Sequence, residues 1–171
     1  MPEKRRIPSW EETFLQVALV MSKRTHCFKY EVGAVLVRGN KIVATGYNGP
    51  ASGDVHCDEV GCAKEVSGVE KKQSGLCRGS HTEINAITNA ARLGVSIEEC
   101  HMYVNYRPCK SCAKQIGNAG IKRVVYMQDY DGDLDVPAYL GQLGVKLEKY
   151  DIEKGHFVLM NLTPKKEKTD G

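Results

Sequence analysis

His81-Thr-Glu-Ile-Asn-Ala-Ile-Thr-Asn-Ala-Ala-Arg-Leu93, then His101-Met-Tyr-Val-Asn105, then Cys109 to Ala119, then Val124-Val-Tyr-Met127: this stretch decides the fold. The first segment reads as a helix with Gly94 as its natural C-cap, and the second as a short strand. The third is a helix begun by Pro108 and closed by Gly120, and the fourth is an apolar, β-branched buried strand. Working outward, Pro137 to Leu143 reads as a helix stopped at Gly144, and Val145 to Tyr150 as a final strand. Towards the N-terminus, Val32 to Arg38 and Lys41 to Gly46 flank Gly39-Asn40 and read as a hairpin. Ser9-Trp-Glu-Glu12 is a capping box, followed by Trp10, Phe14, Val17 and Met21 at helical spacing to about Arg24. Gly49 to Ser80 is a long, weakly periodic connection, and Phe157 to Leu162 fits either helix or strand. Strands alternating with helices predict an α/β fold, one mixed central sheet between helical layers.

At 171 residues the chain suits one domain, 1–171, with a core over about 9–150 and a flexible tail at 163–171. Hydrophobic content of 42%, charged content of 26% and a net charge of +3 describe a soluble protein with no strong pull towards nucleic acid. No apolar run approaches the ~20 residues that a membrane helix needs. Lys4-Arg5-Arg6 and Lys165, Lys166 and Lys168 read as solvated ends. The basic N-terminal residues lack the apolar stretch of a secretory signal, so a cytoplasmic location is expected. Seven cysteines, an odd number that includes one Cys-x-x-Cys, point to metal more than to disulfides in a reducing compartment.

The chemistry gathers in His81-Thr82-Glu83 and Pro108-Cys109-Lys110-Ser111-Cys112. One imidazole and two thiolates can hold zinc with the fourth position open, the pattern of a catalytic site. Cys109 and Cys112 are i and i+3, about 60° apart around a helix, so both can face one point. His81 and Glu83 are i and i+2 and converge only if His81 lies at the very start of its helix. The pattern His-x-Glu…Pro-Cys-x-x-Cys resembles the signature of zinc-dependent nucleobase deaminases, which implies that Glu83 carries protons from the activated water to the ring nitrogen and the departing amine. A closed site with a fourth protein ligand is the bland alternative, but it would not need the carboxylate.

Thr45-Gly-Tyr-Asn-Gly-Pro50, the His-x-Glu helix, Tyr103-Val104 before Pro108-Cys109-Lys-Ser-Cys112, and Gly120-Ile-Lys-Arg-Val-Val-Tyr126 followed by Asp129-Tyr130 together resemble the deoxycytidylate (dCMP) deaminases. The likeness runs over roughly residues 9 to 150. It implies a three-layer α/β/α cytidine-deaminase-like fold and conversion of dCMP and water to dUMP and ammonia, which feeds thymidylate synthesis. It also implies a homo-oligomer, hexamer or dimer, regulated by dCTP and dTTP, with Mg2+ accompanying a nucleotide effector. By the same likeness Asn48 binds the nucleoside, Arg24 and Tyr130 are candidates for the 5′-phosphate, and Arg92 lies near a subunit contact or effector site. A second, structural zinc is implied around the 49–80 insert, where Cys57, and Cys27 just before the first strand, fit the pattern. Cys62 and Cys77 complete a set of four thiolates, with His26 and His56 as substitutes, while Cys100 is expected in the core.

Asn105, Tyr106 and Arg107 depart from the resembled pattern, as does Thr82. Arg107 is therefore a further candidate for an anionic group. Two other readings remain: another superfamily enzyme acting on tRNA adenosine or on a free nucleoside or base, and a non-catalytic zinc module that binds nucleotides.

Overall fold

A computed structural model describes residues 6–66 and 76–151. Helix α1 (Trp10–Ser22) begins at Ser9, whose hydroxyl accepts from the Glu12 backbone N–H while the Glu12 carboxylate accepts from that of Ser9. This reciprocal pair satisfies two of the donors left free at a helix start. The buried stripe of α1 is Phe14, Leu15, Ala18 and Leu19, so the expected stripe of Trp10, Phe14, Val17 and Met21 is corrected by most of a helix face. Trp10 instead stacks on Phe14 from outside. The reason for the shift is a close approach of α1 to the sheet. A Cβ on Gly33 would stand 2.0 Å from the Ala18 carbonyl oxygen, so only small residues fit along that line of contact.

Strands β1 (Gly33–Arg38) and β2 (Lys41–Tyr47) form the expected hairpin. Gly39 and Asn40 both take positive φ, +54° and +58°, as a type I′ turn requires. The connection that follows holds β3 (Gly49–Pro50), α2 (Cys57–Val60), α3 (Ala63–Val66) and β4 (Gly79–Ser80), with β3 and β4 pairing as a small separate sheet. Next come α4 (Thr82–Arg92), β5 (His101–Tyr106), α5 (Lys110–Asn118), β6 (Arg123–Gln128), α6 (Val136–Gln142) and β7 (Lys146–Lys149). Gly94, Gly120 and Gly144 close the three helices in the left-handed region. The segment Phe157 to Leu162 and the expected tail at 163–171 lie outside the described residues.

The five-stranded sheet runs β2-β1-β5-β6-β7, with β1 antiparallel to both β2 and β5 and the last three strands parallel. One face buries Phe14, Leu15, Leu19, Val35 and Val125 beneath α1. The other packs Leu36, Ala86, Met102, Ile116 and Leu140 beneath α4, α5 and α6. This is the three-layer α/β/α arrangement. It leaves the starts of α4 and α5 side by side near the carboxyl end of β5, the edge where open α/β sheets place their ligands. No helix among the described residues is long and apolar enough to cross a membrane.

Candidate active site

His81 is the N-cap of α4, with extended backbone at φ −71° and ψ 151°. That is the one placement that lets residues i and i+2 face the same point. Cys109 occupies the equivalent N-cap position of α5, and Cys112 lies one turn in, fully buried. The His81 Nδ1 atom sits 3.4 Å from the Sγ atoms of both cysteines. Tetrahedral zinc with ordinary bond lengths needs nitrogen and sulfur about 3.5 Å apart, so the donor set fits that ion without rearrangement. Among the described residues these three form the one group of histidine, cysteine or acidic ligands whose atoms all lie within 4.8 Å of one another.

Electrostatics agree with geometry. A hydrogen bond from Cys112, against the cost of burial, brings the Cys109 pKa down to about 4, and the helix N-terminus favours the same thiolate. Contact with the Cys109 sulfur and burial push the Cys112 thiol up. The bond to Cys109 also raises the pKa of His81. Glu83 is buried against the cluster and accepts from the Cys112 thiol at 3.3 Å. Burial is the main cause that raises its pKa, which favours uptake of a proton by this carboxylate.

The shell around the cluster is built from polar side chains spent on backbone. The Asn48 amide accepts from Val32 N at 2.9 Å and donates to Tyr30 O at 3.0 Å, leaving one lone pair and one N–H for any ligand. Thr82, unusual beside the histidine, donates to Val32 O at 2.8 Å. Asn105 accepts from Gly33 N at 2.9 Å and donates to Glu31 O at 2.7 Å, tying β5 to the segment entering β1. Arg107, expected as a candidate for an anion, is buried, and its guanidinium donates to the carbonyls of Tyr130, Gly132 and Asp133. The Asp133 carboxylate, missed in the sequence, accepts from Lys110 N at 2.7 Å and so caps α5 where Cys109 cannot. Only a contact 23 residues away in the chain reveals that role.

Other expected residues scatter. Tyr130 is half-buried near the Cys109 thiolate and meets the Tyr30 ring edge-on at 6.4 Å. Arg24 is exposed just beyond α1, and Arg92 is exposed at the far end of α4 from His81. A shallow groove of about 520 Å³ at that end, lined by Ile87, Ala91, Val95 and Asn118, contains none of the site residues. Cys27, Cys57, Cys62 and Cys77 are electrostatic neighbours: burial first, then the other three, push the Cys57 thiol up. Among the described residues they do not form a set whose ligand atoms all lie within 4.8 Å of one another. Beside Cys27 and Cys57 the rings of His26 and His56 stack at 4.1 Å, and the buried His56 Nδ1 has no hydrogen-bond partner. Cys100 is in the core, as expected.

Residues 8–128 match the family model of the cytidine and deoxycytidylate deaminase zinc-binding region. A deoxycytidylate deaminase of Schizosaccharomyces pombe is 39% identical over 144 residues, 84% of this chain but 44% of that protein. The ComE operon protein 2 of Bacillus subtilis is 33% identical over 146 residues, 85% of this chain and 74% of that protein. The chain thus spans less than half the length of the first of these relatives and about three quarters of the second. Among solved structures, the dCMP deaminase of cyanophage S-TIM5 in complex with dCMP and dUMP superposes with a TM-score of 0.71 at 30% identity, over 85% of this chain and all of that one. The chain belongs to the cytidine and deoxycytidylate deaminase family.

Proposed function

We propose that this protein hydrolyses dCMP to dUMP and ammonia, with zinc held by His81, Cys109 and Cys112. The observation that carries the reading is the zinc-sized triangle of ligands with a buried, proton-accepting Glu83 against it. The cyanophage enzyme, solved with dCMP and dUMP, supports the substrate. Zinc in such a site lowers the pKa of water towards ~7. The protein's own part is proton traffic and orientation. Glu83 takes one proton from the water that attacks the amine-bearing carbon and passes it to the ring nitrogen; it then takes the second proton from the new hydroxyl and delivers it to the amine, so that the C–N bond breaks as the carbonyl forms and ammonia leaves. The second hydrogen-bonding valences of Asn48 orient the nucleoside, and Arg24 and Tyr130 serve the 5′-phosphate.

The same reading extends outward. A structural zinc on Cys27, Cys57, Cys62 and Cys77, or with a histidine replacing one thiolate, is supported by the mutual proximity of these groups and the orphaned His56 nitrogen. Such an ion would link metal binding to the folding of this segment. Assembly into a homo-oligomer, regulation by dCTP and dTTP with Mg2+, and a contact role for Arg92 complete the proposal. So does a reducing, cytoplasmic setting.

Ultraviolet assay of the purified protein with dCMP, CMP, deoxycytidine and dCTP tests the reaction. Turnover confined to dCMP is expected; turnover of deoxycytidine but not of dCMP would overturn it. Elemental analysis should find about two zinc ions per chain, falling by one in Cys57→Ser. A wild-type value of one removes the structural site.

A further inference from the structure

The guanidinium of Arg107 is deeply buried, and among the described residues the carboxylate it pairs with, Asp129, stands 4.0 Å away, beyond hydrogen-bonding distance. Its donors go to three carbonyls of one short loop: Asp133 at 3.0 Å, Tyr130 at 2.6 Å and Gly132 at 2.7 Å. A planar fork of fixed donors is the one side chain that can fasten several carbonyls of a curled loop at once. The loop is curled tightly, with Asp133 at φ +53° and a Cβ on Gly132 only 2.7 Å from the Tyr130 ring. Its other end is fixed by the Asp133 carboxylate on Lys110 N, at the first turn of the helix that bears Cys109 and Cys112. Arg107 itself is two residues before Cys109. The arginine and the aspartate therefore fasten the Tyr130 loop to the ligand helix at two points.

We propose that Arg107 is a positioning residue: it holds the 130–133 loop, and with it the Tyr130 ring, at a set distance from the His81–Cys109–Cys112 cluster, and so sets how tightly substrate is held. This rests on the deaminase reading above. Three of its five N–H donors go to these carbonyls, which ties the buried group to the loop. Around it Tyr130 and Tyr106 both meet Tyr30 edge-on, at 6.4 and 6.2 Å. A released loop would dissolve that aromatic wall while leaving the ligand triangle intact, because Cys109 and Cys112 are held by α5 itself. The signature is thus a binding defect without a chemical one.

The test is steady-state kinetics of Arg107→Lys, which keeps the charge and loses the fork, with zinc content and hydrogen exchange measured on the same samples. KM for dCMP should rise roughly tenfold or more, with kcat changed by less than about threefold and catalytic zinc retained. Exchange should quicken at residues 130–133 and at the Lys110 amide. Tyr130→Ala should raise KM comparably, and the double variant should add little to either single one. Arg107→Gln, which leaves no buried charge and loses the fork, should give the same signature if the lysine variant does not fold. Equal loss of kcat and kcat/KM, strictly additive effects with Tyr130→Ala, or unchanged loop exchange would overturn the positioning role. If wild type proves inactive on dCMP, the deaminase reading fails first, and loop exchange still decides whether Arg107 fastens the loop.

Discussion

Gly46 lies under the first turn of α4, and its replacement by alanine is the sharpest test of how the fold sets the site. A Cβ there would stand 2.4 Å from the Thr82 carbonyl oxygen and 2.5 Å from Ala86 N. Both are backbone atoms, so no side-chain rotation relieves the clash. Ordinary contact begins at 3.4 Å, so the helix must lift by about 1 Å, the difference between 3.4 and 2.4 Å. Glu83 lies on the lifted turn, and His81 caps it. Overpacking of this kind costs about 1–3 kcal/mol. A 1 Å displacement of catalytic groups costs on the order of 10²-fold in rate. Urea unfolding of Gly46→Ala should therefore show a lower midpoint with an unchanged slope, and kcat for dCMP should drop by roughly two orders of magnitude. Gly39→Ala is the control: its φ is +54° but a Cβ meets nothing within 4 Å. That variant should lose about 1 kcal/mol from backbone strain alone and keep its activity. A Gly46→Ala protein with wild-type midpoint and kcat would refute the view that the β2–α4 contact sets the position of Glu83.

Glu83→Gln should lower kcat by about 10²–10⁴-fold or more while zinc content stays unchanged, read by elemental analysis alongside the ultraviolet assay. Residual activity near wild type would remove Glu83 from the proton path. Zinc uptake by metal-stripped protein should release protons at neutral pH, because the Cys112 thiol is pushed up and still protonated before the ion arrives. Affinity should consequently fall as pH is lowered; calorimetry in buffers of different ionisation enthalpy would count the protons, and uptake with none released would refute the assignment. Asn105→Ala strands the buried Gly33 N–H and should cost about 1–3 kcal/mol in urea unfolding.

Much of this was legible in the sequence. Helix ends were written in Ser9-Trp-Glu-Glu12 and in Gly94, Gly120 and Gly144, whose capping chemistry is local. The ligand triangle was legible because His-x-Glu and Cys-x-x-Cys each fix their own half of the geometry. The buried face of α1 was not, because periodicity weights bulky residues, whereas close packing on Gly33 selects Ala18. Asn48 reads as a binder from its motif, yet half of its amide is spent bracing residues 30–32. Arg107 was the largest surprise. Charge alone argues for solvent or an anion, and the carbonyls that accept its donors lie 23 to 26 residues further along the chain.

The sheet joins two stretches of different origin along β1 and β5, where Ala34 pairs with Val104 and Leu36 with Met102. On one side α1, the β1–β2 hairpin and α4 pack together; on the other, β5-α5-β6-α6-β7 winds as successive parallel crossovers. The β1–β5 junction closes a longer loop than the β1–β2 hairpin or the parallel crossovers, and its formation should be slower than theirs. His81 belongs to the first stretch and Cys109 and Cys112 to the second, so the ligand set straddles the junction. An ion bound there is a rivet across two cooperative folding units: its loss should raise the rate at which they part without unfolding either. Competence for hydrolysis and cohesion of the halves would then be gained, and lost, in the same event.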